Sequence, residues 1–275
     1  LDTLGVFRRR THERQAEGET SMDLAEALWS ARANGDVIAI EPGQKPASTA
    51  AAYQAQAAVA ARSGMAQVGW KIGAAAQFAI DMLALDAPFL APLLAPHCLP
   101  DDAEVALVAN QSPGLETEFL VALGADLPAR SQPYQRDEVV AAVDYVAPAF
   151  EVVASRFEGG LKGNGLLVIA DGGGNAAIVQ GAPVRDWQRF DLASHSVRLS
   201  INGAETASGT GSALIFGDPI AAVAWLASQP EVAPRGVRRG DLVMTGTCTG
   251  LTPLKAGDRA SADFGELGQV HARFT

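Results

Sequence analysis

The sequence predicts an α+β fold built on a mixed β-sheet or roll, with a small helical subdomain in front of it. Three observations carry that prediction. Up to about residue 65 the apolar residues fall at helical spacing and alanine dominates. From Met65 onward, short apolar segments recur between Gly, Pro, Asn and Asp. In that part the strand-like segments outnumber the helical ones and do not alternate strictly with them, which argues against a doubly wound sheet. The chain therefore divides into a helical subdomain over 1–65 and a mixed β-roll domain over 66–275.

Taken in order, MDLAEALWSARAN (22–34) places Leu24, Ala27, Leu28 and Ala31 on one helical face, and Asn34-Gly35 closes the helix. A Pro/Gly-bearing connection over 36–46 leads to a second helix over 48–64, capped by Ser48 or Thr49 and ended by Gly64. Strand-like segments follow: AQVGWKIG (66–73), AEVALVA (103–109), TEFLVAL (117–123), LLVIADG (166–172), VRLSING (197–203) and DLVMTG (241–246). Helical patterns fall at 136–144 and 217–229, the latter with Asp218 as cap and Pro219 in its first turn. Asn202-Gly203 marks a hairpin.

The 275 residues suffice for one large domain, or one and a smaller partner. A hydrophobic fraction of 48% and a charged fraction of 19% are those of a globular protein with a substantial core. The net charge of −10 argues against nucleic acid and anionic membranes as partners, and asks for a local cation wherever an anionic ligand binds. Cys98 and Cys248 are far apart and form no C-x-x-C, so a reducing, cytoplasmic setting fits best. No segment reaches the roughly 18 apolar residues of a membrane span. The richest candidate, PFLAPLLAPHCLP (88–100), is cut by proline, and LDTLGVFRRRTHERQ has no apolar core behind its arginines to make it a secretory signal.

The densest chemical signal is Glu116-Thr117-Glu118, answered by Glu151 in YVAPAFEVVASRF. On a strand, Glu116 and Glu118 point to the same face with Cα atoms about 7 Å apart. Carboxylates at that spacing need a cation between them or a shared proton, and three acids suit a hard divalent ion such as Mg²⁺. The plainer reading is a solvated strand edge. Lys71, between apolar neighbours and glycines, is either a snorkelling surface lysine or an ammonium held near carboxylates as a proton donor. The run Asp171-Gly172-Gly173-Gly174-Asn175 lets backbone approach a ligand closely or forms a tight loop. Met244 to Gly250 interleaves three threonines with glycines, as a donor-rich ligand loop or a turn. Cys248 has no histidine near it in sequence to activate it as a nucleophile, and His12, His97, His195 and His271 share no metal or triad spacing.

Taken together, V-G-W-K-I-G, E-T-E, A-F-E-V-V-A-S-R, I-A-D-G, G-D-L-V-M-T-G-T and A-G-D-R-A-S-A-D-F-G-E-L-G-Q-V resemble the fumarylacetoacetate hydrolase superfamily. Within it the chain is most similar to the 2-keto-4-pentenoate (2-hydroxypentadienoate) hydratase and oxalocrotonate decarboxylase branch. The match runs in order from Ala52 to Phe274, about four-fifths of the chain. The resemblance implies a fumarylacetoacetate hydrolase-like β-roll holding Mg²⁺ or Mn²⁺ on Glu116, Glu118 and Glu151, with Lys71 as general acid/base. Gly246 and Thr247, with Asp171 and Gly172, would hold a small anionic 2-oxo acid. It also implies a homo-oligomer and a complex with a sister enzyme of aromatic catabolism.

The expected reaction is addition of water to a 2-hydroxy-2,4-dienoate, giving a 4-hydroxy-2-oxo acid. Alternatives on the same site are decarboxylation of a 2-oxo dioate, C–C hydrolysis of an acylpyruvate, and a non-catalytic partner subunit. Two departures stand out. Related hydratases carry P-D-[FY]-G where this chain has Pro88-Phe89-Leu90-Ala91, and D-N-A-S where it has Asp171-Gly172-Gly173-Gly174.

Overall fold

The computed structural model describes residues 23–233 and 235–275. The reading of the first residues as lacking a secretory signal, and residues 1–22 of the expected helical subdomain, lie outside the described residues.

Helix α1 (Leu24–Asn34) starts on Asp23, whose carboxylate accepts from Glu26 N, and stops at Gly35 in the left-handed region. Helix α2 (Thr49–Ser63) is capped by Ser48 and ended by Gly64 in the same way. Strand β1 (Gln67–Gly73) follows, then α3 (Gln77–Leu83) and β2 (Phe89–Leu94). Short β3 (Cys98–Pro100) and β4 (Ala103–Val105) lead to the long β5 (Gly114–Leu123). Next come α4 (Arg136–Ala142), β6 (Val143–Val153), α5 (Gly165–Ala170) and β7 (Asn175–Gln180). The hairpin β8 (Ser196–Ile201) and β9 (Ala204–Thr210) turns at Asn202-Gly203, both at positive φ. Helix α6 (Pro219–Ala227) opens on Asp218 with Pro219 at its start. The chain closes with β10 (Leu242–Thr247), β11 (Thr252–Pro253), β12 (Arg259–Asp263) and β13 (Gln269–Phe274).

Among the described residues the strands form two mixed sheets. The larger runs β2-β1-β10-β5-β6-β7-β3, with β11 also paired to β5; the smaller runs β4-β13-β12-β8-β9. Pairs β1–β10, β3–β7 and β4–β13 are parallel and the others antiparallel. Odd-numbered residues of β5, including Phe119 and Val121, enter one core shared with Leu199, Val270 and Phe274 of the second sheet. Phe119 meets Phe264 edge to face at 5.1 Å. The α+β class with mixed sheets is therefore as expected.

Two local expectations are corrected. LLVIADG is not a strand: Gly165–Ala170 is helix α5, because a short apolar run carries no period and here every side is buried, from Leu167 to Ala170. Those side chains share a core with Ala25, Leu28, Ala52 and Val59 of the first two helices. AEVALVA is strand only over Ala103–Val105. PFLAPLL, read above only as too proline-cut for a membrane span, is strand β2, tolerated because it lies at the edge of its sheet with Pro92 opposite Trp70.

Gly69 sits opposite Leu242, and a Cβ there would lie 1.9 Å from the Leu242 carbonyl oxygen. Backbone of a central strand cannot step aside. Gly69→Ala is expected to cost about 3 kcal/mol, measured by urea unfolding, from overpacking against the neighbouring strand.

Candidate metal and proton-transfer site

Strand alternation places Glu116 and Glu118 on the face of β5 turned away from the main core. Across the antiparallel pair, Glu116 lies directly opposite Glu151 of β6. One oxygen from each of the three carboxylates falls within 4.8 Å of the others. Opposed like charges destabilise a sheet, and here Glu118 and Glu151 are buried as well.

Lys71 offsets part of that repulsion. On β1 it is level with Met244 of β10, which is level with Leu120 of β5, so the sheet register brings the ammonium to the acids. Its Nζ lies 2.8 Å from Glu151 Oε1 and donates to the Gly173 carbonyl at 3.1 Å. Asn175 Nδ2 donates to the same Glu151 oxygen at 2.8 Å, and Gly246 N donates to Glu118 Oε2 at 2.7 Å. Glu118 Oε1 and Glu151 Oε2 are buried with no hydrogen-bond partner. Three carboxylates against one ammonium leave two negative charges when all are ionised. A hard dication with oxygen ligands fits that charge and those two orphaned oxygens.

Burial, then the charge of Glu151, pushes the Glu116 carboxyl up to about 7, against the pull of Lys71. Burial and both neighbouring glutamates push Glu118 well above the usual carboxylate range. Burial alone would lower Lys71, but Glu151, Glu116 and Glu118 outweigh it and raise the ammonium above its ordinary value.

Behind the acids is a second layer that the sequence reading missed. Arg156 Nη1 pairs with Asp171 Oδ2 at 2.8 Å, and Arg156 Nη2 donates to the Asn175 carbonyl at 2.7 Å. Arg32 of α1 donates to the same carbonyl, and burial, then the nearby Arg156, lowers its guanidinium to about 9. A signal existed: Arg32 is four residues beyond buried Leu28, on the apolar stripe of α1, where a surface arginine does not belong.

The structure therefore gathers Lys71, Glu116, Glu118, Glu151 and Gly246. It places Asp171 and Gly172 on the arginine side: Asp171 is fully buried against Arg156, and Gly172 adjoins Arg32. The three glycines 172–174 all take positive φ, and the middle one makes the close approach to Lys71, since a Cβ on Gly173 would lie 3.1 Å from its Nζ. Thr247 is level with Glu118, but its hydroxyl donates to the Gly250 carbonyl and accepts from Thr249 N. Cys248 is buried, and burial pushes its thiol far above the ordinary value.

A cavity of about 50 Å³ opens beside Lys71, Glu116 and Gly173. A larger one of about 380 Å³, bordered by Tyr53, Trp70 and Leu90, contains none of the three glutamates. Volume alone would select neither, since a cavity of about 580 Å³ lies beside Cys98, Pro100 and Gln180; the chemistry selects the one beside Lys71 and Glu116.

Comparison with known proteins identifies the family. Residues 88–275 match the model of the fumarylacetoacetate (FAA) hydrolase C-terminal family. A 2-hydroxyhexa-2,4-dienoate hydratase of Comamonas testosteroni is 33% identical over 215 residues, 78% of this chain and 80% of the relative. A 4-oxalocrotonate decarboxylase of Pseudomonas putida is 29% identical over 207 residues, 75% of this chain and 77% of the relative. The solved structure of the 4-oxalocrotonate decarboxylase from Pseudomonas putida G7, complexed with magnesium and adipate, superposes with a TM-score of 0.83 at 28% identity. That superposition covers 92% of this chain and 96% of the other.

The raised Glu116 carboxyl has a consequence with a definite sign. The folded protein keeps a proton that the unfolded chain releases near the ordinary value of 4.5, so its stability contribution is full below 4.5 and fades as pH rises through about 7. Mg²⁺ competes with that proton. The Tm gain on adding Mg²⁺ to chelator-treated protein is expected to grow from pH 5 to pH 8; a gain independent of pH would contradict the site.

Proposed function

The chain belongs to the fumarylacetoacetate hydrolase family, and on that premise we propose that it is a divalent-metal-dependent hydro-lyase. It adds water to a 2-hydroxy-2,4-dienoate and gives a 4-hydroxy-2-oxo acid. The observation that carries this reading is the trio of Glu116 with buried Glu118 and Glu151, and Lys71 bonded into it. The hydratase from Comamonas testosteroni supports the choice of reaction.

Glu116, Glu118 and Glu151 hold Mg²⁺ or Mn²⁺. The bound ion supplies Lewis acidity, polarising the 2-oxygen of a 2-oxo acid and stabilising negative charge that develops there. The remaining work falls to side chains. Of the three N–H groups on Lys71, two are committed to Glu151 and Gly173, which aims the third at a bound substrate. The glutamates are what raise this ammonium; neutralising them lowers it toward a useful proton donor.

The reaction balances simply. The hydroxyl of water goes to C4; one proton from water and one from the 2-hydroxyl go to C3 and C5, and the 2-hydroxyl becomes the oxo group. Lys71 Nζ carries protons to carbon. Gly246 holds Glu118 in place through its backbone N–H, and Thr247 shapes the loop that carries it. Asp171 and Gly172 act from behind, Asp171 fixing Arg156, which with Arg32 fixes Asn175 against Glu151.

With this reading go a division into a helical subdomain (1–65) and a catalytic domain (66–275), a cytoplasmic setting, a homo-oligomer, and association with a sister enzyme. Among the described residues no helix is long and apolar enough to cross a membrane. A second reading keeps the site and changes the step to decarboxylation of a 2-oxo dioate, supported by the likeness to the 4-oxalocrotonate decarboxylase.

Loss of 2-hydroxypenta-2,4-dienoate absorbance is expected to require Mg²⁺ and to yield the 4-hydroxy-2-oxo acid. Faster release of CO₂ from a 2-oxo dioate would favour the second reading. Lys71→Met should lower kcat by about 10²–10⁴-fold, the usual range for losing a general acid, with Mg²⁺ binding retained in calorimetry. Glu118→Ala should abolish Mg²⁺ binding at concentrations that saturate the wild type.

A further inference from the structure

The cavity beside Lys71 has walls that the metal site does not explain. Phe78, Met82, Phe89, Leu161, Val168 and Leu251 line it, and Lys71 is the one cation among its described lining residues. That cation is already bonded to Glu151. The inner wall is the Phe89 ring, centred 5.9 Å from Lys71 Nζ. Glycine at 73 makes room for it, since a Cβ there would lie 2.0 Å from Phe89 Cζ.

The mouth is apolar as well. Phe78 is 49% exposed and Leu251 36%, two of the three large hydrophobic residues that the described surface leaves open. Phe78 comes from α3 and Leu251 from the segment after β10, where Leu251 rests on Gly114 at the start of β5. Exposed apolar side chains gathered at a cleft mark a place where apolar ligand surface is buried.

We propose that this cavity receives the end of the substrate distal to the 2-oxo acid, and that it selects a short uncharged alkyl group and rejects a second carboxylate. The proposal rests on the 2-oxo acid reading of the metal site. Size and charge both support it. At roughly 10–15 Å³ for each water-sized group, the cavity takes about four such groups, the carbons beyond C2 of a five- or six-carbon acid. A carboxylate in the same place would lose its water and meet no free donor on Phe78, Met82, Phe89, Leu161 or Leu251. Phe89, Phe78 and Leu251 are then specificity-determining residues, and a monocarboxylic dienoate is preferred over a dioate of equal length.

Three inert 2-oxo acids test this by calorimetry on the full chain with saturating Mg²⁺: pyruvate, 2-oxohexanoate and 2-oxoadipate. The expected order puts 2-oxohexanoate at least tenfold tighter than 2-oxoadipate, and also tighter than pyruvate, which has no tail. Phe78→Arg, at a half-exposed position that tolerates a charge, should tighten 2-oxoadipate at least tenfold and leave pyruvate unchanged. Equal or tighter binding of 2-oxoadipate by the wild type would overturn the alkyl preference while the 2-oxo acid reading stands. An unaltered preference in Phe78→Arg would overturn the assignment to this cavity. If none of the three binds while Mg²⁺ does, the 2-oxo acid reading fails and the tail preference falls with it.

Discussion

The direct pairing of Glu116 with Glu151 across β5 and β6 is the constraint on which the rest of the structure depends. Antiparallel register sets two carboxylates face to face, and strand alternation adds Glu118 beside them. Such an arrangement is unfavourable in a metal-free sheet, since each buried, unpaired charge costs several kcal/mol. The protein answers it by a raised proton affinity at Glu116 and Glu118, and with an ammonium brought in from β1. That answer is incomplete. Two carboxylate oxygens remain buried without a partner, an unsatisfied state that a divalent ion would relieve.

A site under such repulsion needs stiff surroundings. The core between the two sheets provides them on one side of β5, through Phe119, Phe264 and the residues around them. On the other side the glycines work by absence. Gly73 admits the Phe89 ring and Gly173 admits Lys71, so the lysine, the ring and the glycine loop interlock. The first helix takes part too: Arg32 reaches from α1 to the Asn175 carbonyl, and Asn175 in turn holds Glu151. A helix that reads as a simple amphipathic cover is thus tied to the metal cradle through two hydrogen bonds.

Much of this was legible in the sequence, and the illegible parts have physical reasons. The caps Asp218, Gly35 and Gly64 and the Asn202-Gly203 turn are local signals, and they fall as expected. E-x-E on a strand fixes a shared face from chain geometry alone. Residue type offers Glu151 as a third acid and Lys71 as one of two readings, and only the resemblance assigns them roles, because register between distant strands is not written in either strand. LLVIA reads as strand or helix equally well, and only burial on every side decides it. PFLAPLL hides a strand because its proline is tolerable only at a sheet edge, a property of the sheet and not of the segment. Asp171 looked like part of a ligand loop; its buried pairing with Arg156 depends on contacts that no local pattern announces.

Glu116, Glu118 and Glu151 are proposed to form one cradle for one divalent ion. Anomalous diffraction from crystals soaked in Mn²⁺ tests it most directly. The account predicts a single strong peak bounded by these three carboxylates, lost in Glu118→Ala crystals that keep the same fold. A Mn²⁺ peak elsewhere with this cradle empty would contradict the account at its root.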